Sequence, residues 1–179
     1  MRVPPDDSHT DMFATVAVGA PETRWFVPGP TRLPRRPPDR SRIDRYHTPS
    51  LAPDRSLKRR GSSGACEWKV RLLPPEPCQV GDVGGQVEHW CKFAGPELGA
   101  LDDDDDDVWV DVQKLIWRDG LAELASLSAL GQEWWSVSVQ SCPGRATRLP
   151  RWLERKVAGA DGVVSGGYPA WLVGLLTAS

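Results

Sequence analysis

Charged and apolar residues alternate along several short runs of the chain, a pattern typical of β-strands with one face toward the protein interior. In the run EWKVRL at 67–72, the charged side chains of Glu67, Lys69 and Arg71 share one face, and apolar side chains form the other. Alternation alone favours a half-buried strand whose charged face meets water. The alternative, an ionic face turned inward, requires a partner for the charges.

Similar runs elsewhere predict a mainly β, antiparallel fold. They are ETRWFV at 22–27, IDRYH at 43–47, SLKRR at 56–60, QVEHWCKF at 86–93, VWVDVQKLIWR at 108–118 and EWWSVSVQS at 133–141. GSSG at 61–64 supplies a hairpin turn. The segment 28–42 contains five prolines and predicts a loop or an extended arm, and 73–85 predicts a second connection.

Three segments have helical features. GLAELASLSAL at 120–130 has leucines three residues apart, which favours a helix locally but leaves a strand open. LPRWLERKV at 149–157 is amphipathic, with Pro150 near its start, and predicts a short helix. GYPAWLVGLL at 167–176 predicts a short apolar helix or tail that docks on the core.

The chain of 179 residues is long enough for one domain with a sizeable core. We expect a flexible segment at 1–20 and a single domain at 21–179. The acidic run Asp102–Asp107 predicts a solvated loop, because six adjacent like charges repel one another. Most of the nine tryptophans are expected in the core.

The composition indicates the cellular compartment of the protein and the kinds of partner that it has. The four cysteines lack a C-x-x-C pair, and no apolar run approaches the roughly 18 residues of a membrane helix. These features predict reduced thiols and a cytoplasmic protein that does not enter a membrane. The net charge of -2 and the scarcity of aromatic residues among the arginines of 31–60 make nucleic acid an unlikely partner.

Common catalytic motifs are missing from the sequence, including a P-loop, G-x-G-x-x-G after a strand, G-x-S-x-G and H-E-x-x-H. Basic residues on several predicted strands remain as candidates: Arg24, Lys58, Arg59, Arg60, Lys69, Arg71, Lys114 and Arg118. If their faces turn inward, they form a cationic channel suited to a polyphosphate. If they turn outward, they form an ordinary charged surface.

The order of these motifs resembles the CYTH, or triphosphate tunnel metalloenzyme, superfamily. E-x-R at 22–24, IDRYHTP at 43–49, LKRR at 57–60, EWKVR at 67–71 and K-x-x-x-R at 114–118 follow one another as the strand motifs of that family do. The resemblance implies an antiparallel, tunnel-like barrel of about eight strands with peripheral helices. It also implies an inward-facing basic surface that binds a triphosphate.

The resemblance assigns roles to individual residues. Lys69 and Arg59 would be catalytic, and Glu22 and Glu67 would hold Mg²⁺ or Mn²⁺. The remaining phosphate-binding residues would be Arg24, Lys58, Arg60, Arg71, Lys114 and Arg118. With these roles the protein would be a metal-dependent triphosphatase.

The chain departs from the family pattern at positions where the family has carboxylates that bind the metal. The family opens with E-x-E-x-K, whereas here Arg24 replaces the second glutamate and Phe26 replaces the lysine. Gln140 stands where a late carboxylate is expected. Two functions therefore remain open: metal-dependent hydrolysis of a triphosphate, which needs those carboxylates, and non-catalytic binding of a small anion or a partner. The sequence leaves the oligomeric state open.

Overall fold

Antiparallel β-strands dominate the computed structural model, which describes residues 15–61, 66–94, 108–142, 144 and 146–178. The strands are β1 (Thr15–Val18), β2 (Glu22–Pro28), β3 (Arg40–His47), β4 (Arg55–Arg60), β5 (Cys66–Arg71), β6 (Glu76–Val80), β7 (Val83–Glu88), β8 (Trp90–Ala94), β9 (Trp109–Asp119), β10 (Ala122–Ala129), β11 (Gln132–Gln140) and β12 (Val164–Ser165). The helices are α1 (Arg151–Ala158) and α2 (Tyr168–Thr177), and a 3-10 turn spans Thr48–Ser50. The prediction of a mainly β, antiparallel fold is confirmed.

The described strands form one sheet in the order β1-β8-β5-β4-β3-β9-β10-β11-β2-β7-β6, with β12 beside β2. This order ends at β1 and β6, so the twelve-stranded sheet is not closed and an eight-stranded barrel is not confirmed. The sheet nevertheless curls. Arg71 on β5 donates a hydrogen bond of 3.2 Å to Glu88 on β7, although these strands stand far apart in the order. Only His89 separates β7 from β8 along the chain.

The two faces of the sheet are covered by different helices. On the outer face, Leu153 and Val157 of α1 belong to an apolar cluster with Trp25 and Trp135. On the inner face, α2 packs on a second cluster that includes Phe26. Successive residues of a strand point to opposite faces, so Trp25 and Phe26 are both completely buried but serve different cores.

The segment 120–130 is a strand, so the helical interpretation is wrong. Gly120 and Gly131 have positive φ angles of 59° and 71°, and each belongs to a two-residue turn that starts or ends β10. Leu124 packs in the outer cluster and Leu127 in the inner one, as alternation in a strand requires. The spacing of three between leucines was therefore coincidental.

Other boundaries also differ from the expectations. The connection expected at 73–85 contains β6 and the start of β7, which form a hairpin around Gly81. The run at 86–93 is divided into two strands at His89. Residues 15–18 of the segment expected to be flexible form β1, while 1–14 and the acidic run 102–107 lie outside the described residues.

Both C-terminal helices confirm the predictions made for 149–157 and 167–176. Helix α1 starts after Pro150 and buries the apolar residues of one side. Helix α2 carries Pro169 in its first turn, where a missing N–H is tolerated, and it is apolar on most sides. Neither helix is long and apolar enough to cross a membrane. All four cysteines are free thiols.

Candidate functional site

The inner face carries an unusual number of charged side chains for a protein interior. By strand alternation, charged side chains from eight strands point to this face: β2, β3, β4, β5, β7, β8, β9 and β10. The cations are Arg24, Arg42, Lys58, Arg60, Lys69, Arg71, Lys92, Lys114 and Arg118, and the carboxylates are Glu22, Asp44, Glu67, Glu88 and Glu123. The cations outnumber the carboxylates, so the inner face has a net positive charge.

Asp44 on β3 is the centre of the most deeply buried ionic group. Its Oδ2 lies 2.8 Å from Lys114 Nζ and 3.3 Å from Lys58 Nζ, and the side chain of Asp44 is fully buried. Burial alone would raise the pKa of Asp44, but the two ammonium groups outweigh it and hold the pKa of that carboxyl well below its usual range. Lys114 also donates to the hydroxyl of Tyr46 at 3.0 Å.

Arg24 on β2 is the centre of a second buried group. Its guanidinium donates to Glu22 Oε1 at 3.0 Å, to Glu123 Oε1 at 3.2 Å and to Ser136 Oγ at 3.0 Å. These partners come from three strands, and Arg24 is only 7% exposed. Burial would raise the pKa of Glu22, but Arg24 and the lysines Lys69 and Lys92 lower it overall. The two lysines are therefore close enough to act on Glu22 across the inner face.

The two remaining inner carboxylates are also paired. Glu67 lies 3.7 Å from Lys58 Nζ and 3.6 Å from a guanidinium nitrogen of Arg60. Glu88 accepts a hydrogen bond from Arg71 at 3.2 Å and another from the indole N–H of Trp90 at 3.0 Å. Every inner carboxylate described thus has at least one cationic partner.

Lys69 and Lys92 differ from the other inner cations. They lie directly opposite each other on β5 and β8, and neither forms an ion pair with a carboxylate in the described part of the chain. Like charges at directly opposed positions repel each other. The ammonium of Lys69 lies 4.4 Å from the centre of the Trp90 ring, and both lysines are half-buried. Among the described residues, Glu22 and Glu67 act on this pair only from beyond ion-pair distance.

The environment also shifts the protonation of Lys69. Burial lowers its pKa to about 8, against the opposing effect of Glu22, and the positive charges of Lys58, Arg24 and Lys92 add to the lowering. A nearby anion would favour the charged ammonium and reverse this shift. The local electrostatics of Lys69 therefore favour an anionic ligand.

The structure places most of the candidate residues from the sequence on the inner face. Lys69, Arg24, Lys58, Arg60, Arg71 and Lys114 lie there, together with both proposed metal ligands. Arg118 lies at the rim, 58% exposed and 3.5 Å from Glu123. Next to it, a small cavity of about 60 Å³ is lined by Glu22, Arg118, Glu123, Ser138 and Gln140, among other residues.

Arg59 is the candidate that the structure separates from the rest. It lies opposite Arg45 in the register of β3 and β4, and its guanidinium lies 5.0 Å from the ring of Trp109, on the outer face. Because its neighbour Lys58 points inward, alternation along β4 directs Arg59 outward. We therefore omit Arg59 from the site.

Sequence reasoning left several residues of the inner face out of the candidate site, chiefly Asp44, Arg42, Lys92 and Glu123. For Lys92 a signal was present, since it alternates with apolar residues in the run 86–93. Glu123 was hidden because its segment had the spacing of a helix. Tyr168 of α2, whose ring lies 3.6 Å from Lys114 Nζ, could be assigned to the site only once the position of α2 was known.

Comparisons of the chain with models of protein families, with curated proteins and with solved structures give no match. The functional proposal below therefore depends on the side chains of this chain and their geometry.

Proposed function

We propose that the protein binds a polyanion of the triphosphate class on the inner face of its curled sheet, with Lys69 and Lys92 as the primary contacts. The observation that supports this proposal is the unbalanced lysine pair on a surface whose carboxylates are already paired. Phosphate oxygens are suited to such a site, because several ammonium and guanidinium groups can each donate charge-assisted hydrogen bonds to them.

The neighbouring cations extend this pair into a longer surface. Lys58 lies directly opposite Glu67 and diagonally from Lys69 in the β4–β5 pairing, and Arg71 lies two residues from Lys69 along β5. Arg24 approaches Lys69 from β2 closely enough to lower the pKa of Lys69. In this proposal a chain of linked phosphates replaces the missing counter-charge of the lysines, and Arg71 and Arg24 contact its further oxygens. The interior position of these groups strengthens each charge interaction relative to water.

The inner carboxylates do not fit a divalent metal well. Glu22 is held by Arg24 at 3.0 Å, and Glu67 is shared between Lys58 and Arg60. Within the described residues, no group of three or more His, Cys, Asp or Glu side chains is placed to hold a metal ion. Mg²⁺ is bound through oxygen ligands, and here cations occupy the oxygens that the resemblance assigned to it. Binding without metal-dependent hydrolysis is the function that we favour, and no catalytic role is proposed for Lys69.

Isothermal titration calorimetry with tripolyphosphate, at low ionic strength and without divalent metal, tests the proposal. We expect one binding event that Lys69→Met weakens at least tenfold, while Arg59→Met, which removes a cation of the outer face, leaves it unchanged. The absence of binding by the folded wild-type protein would contradict the proposal. Phosphate release on addition of Mg²⁺ or Mn²⁺, lost in Lys69→Met, would instead support the triphosphatase.

A further inference from the structure

A cavity of about 290 Å³ lies on the outer side of the sheet. Three parts of the chain enclose it: the arm at 29–39 between β2 and β3, the end of the β9–β10 hairpin, and helix α1. Ligand pockets in proteins typically measure about 300–1,000 Å³. This cavity lies at the lower end of that range, which is enough room for a molecule of one or two rings.

The apolar part of the cavity lining is fixed by contacts within the protein. Leu124 and Leu153, 5% and 2% exposed, belong to the outer apolar cluster, as does Trp117. The indole N–H of Trp117 donates a hydrogen bond of 3.0 Å to the carbonyl oxygen of Arg36 in the arm. The arm and the sheet are therefore joined at the cavity, and its shape does not depend on a ligand.

Trp152 of α1 is the most exposed aromatic side chain of this lining. It is 46% exposed, whereas the next residue, Leu153, is buried in the outer cluster. Tryptophan is highly buried on average, so an indole that borders a cavity and leaves almost half its surface to water is unusual. A planar ring that stacks on this indole removes apolar surface of both partners from water.

The polar groups of the lining offer both donors and an acceptor, but no excess of positive charge. Arg36 donates to Asp39 Oδ1 at 2.9 Å and to the carbonyl oxygen of Arg118 at 2.6 Å, and Arg118 Nε lies 3.5 Å from Glu123. Each guanidinium has five N–H donors, so donors remain on both. Asp119 has no hydrogen bond or ion pair with another described residue and is available as an acceptor.

We propose that this cavity binds a small, uncharged, planar heterocycle of one or two rings that carries an N–H group beside a carbonyl group. The ring packs against Trp152 and Trp117, a guanidinium of the lining donates to the carbonyl oxygen, and Asp119 accepts the N–H. The two indoles favour a flat ring over an aliphatic molecule, and the paired guanidiniums favour a neutral molecule over an anion. This site is separate from Lys69 and Lys92, so the inference does not depend on anion binding at the inner face.

Calorimetry with quinazolinone, which has two fused rings and an N–H next to its carbonyl group, tests the proposal. We expect one binding event that Trp152→Ala weakens at least tenfold. The N-methyl derivative, which lacks the N–H, should bind the wild-type protein about tenfold more weakly, because the hydrogen bond to a carboxylate is lost. Asp119→Ala should bind the two compounds equally. The control is Leu73→Ala, which removes an apolar side chain that is 50% exposed outside the cavity and should leave binding unchanged.

Two results would overturn the proposal. One is the absence of quinazolinone binding by the folded wild-type protein at millimolar concentrations, and the other is binding that neither Trp152→Ala nor Asp119→Ala weakens. Both residues are exposed, and thermal denaturation without ligand verifies that the variants are folded. Lys69→Met should leave quinazolinone binding unchanged, and Trp152→Ala should leave tripolyphosphate binding unchanged. Failure of tripolyphosphate alone to bind would contradict the proposed function and not this inference.

Discussion

Lys69 on β5 lies directly across the strand pair from Lys92 on β8, and neither side chain forms an ion pair with a described carboxylate. Elsewhere on the inner face the carboxylates are matched with cations, as Asp44 is with Lys114 at 2.8 Å. Two half-buried ammonium groups held together by strand register weaken the fold. Such a local cost is typical of a binding site, where a ligand supplies the missing charge.

Removing one charge of the pair should therefore stabilise the protein and weaken binding at the same time. We expect Lys92→Met to raise the free energy of unfolding by up to about 1 kcal/mol, because it removes a repulsive cross-strand pair. The same substitution should lower the affinity for tripolyphosphate at least tenfold. Urea denaturation and calorimetry on one preparation measure both effects. A variant that loses stability but keeps its affinity would show that Lys92 has a purely structural role.

Binding should weaken as the pH rises through the pKa of Lys69. Burial lowers this pKa to about 8, so the ammonium is charged below that pH and loses its proton above it. A bound anion favours the charged form and raises the pKa, so the affinity begins to fall near the pKa of the free protein and levels off above the pKa of the complex. We expect affinity for tripolyphosphate, measured by calorimetry, to fall between about pH 7 and pH 10.

The matched control for this pH dependence is Lys69→Arg, whose guanidinium stays charged across the range. The ligand titrates identically with both proteins, so the difference between their pH profiles isolates the contribution of Lys69. The affinity of the arginine variant should fall less steeply with pH. Parallel profiles for the two proteins would mean that Lys69 does not contact the anion.

The sequence predicted the strands of this fold better than it predicted their connections. Alternation of residue types in ETRWFV and EWKVRL was sufficient, because successive side chains of a strand point to opposite faces. The segment 120–130 was misassigned because two of its four leucines, Leu121 and Leu130, belong to turns. Leucines in turns can have the same spacing as leucines on one face of a helix. The curl of the sheet depends on contacts such as that of Arg71 with Glu88, which local patterns do not encode.

The candidate site was predictable to a similar degree. Lys69 was identified because it alternates with apolar neighbours, and Lys114 because it shares a strand face with Arg118. The surroundings of these two lysines were not predicted. Lys92 lies opposite Lys69 only because of the β5–β8 register, and Tyr168 contacts Lys114 only because α2 docks on the sheet. The misplaced Arg59 shows that density of basic residues in sequence does not indicate the face on which each residue lies.

Asp44 should be essential for stability. Its carboxylate is fully buried between Lys114 Nζ at 2.8 Å and Lys58 Nζ at 3.3 Å. We expect Asp44→Asn to lower the free energy of unfolding by about 3–5 kcal/mol, because it leaves the buried Lys114 without its counter-ion and Lys58 with only the more distant Glu67. Urea denaturation measures this change. The double variant Asp44→Asn with Lys114→Met should lose less than the single variant, and a loss as large or larger would contradict this charge-based account.

The docking of α2 can be tested with two glycines in different surroundings, Gly167 at the N-cap of α2 and Gly174 inside the helix. An added Cβ at Gly167 would lie 2.7 Å from the Trp90 ring, so Gly167→Ala should force α2 away from the sheet and cost about 1–3 kcal/mol. Gly174, in the same helix, has nothing within 4 Å of an added Cβ. There alanine should stabilise the helix by about 0.5–1 kcal/mol.

Thermal denaturation of both variants, with and without tripolyphosphate, shows whether the start of α2 packs tightly against the sheet. Gly167→Ala should lower the melting temperature and also reduce the stabilisation by tripolyphosphate, because the Trp90 ring that an added Cβ would meet also contacts Lys69. Gly174→Ala should raise the melting temperature and leave stabilisation by the ligand unchanged. Equal, small effects of the two substitutions would show that α2 does not pack tightly against Trp90.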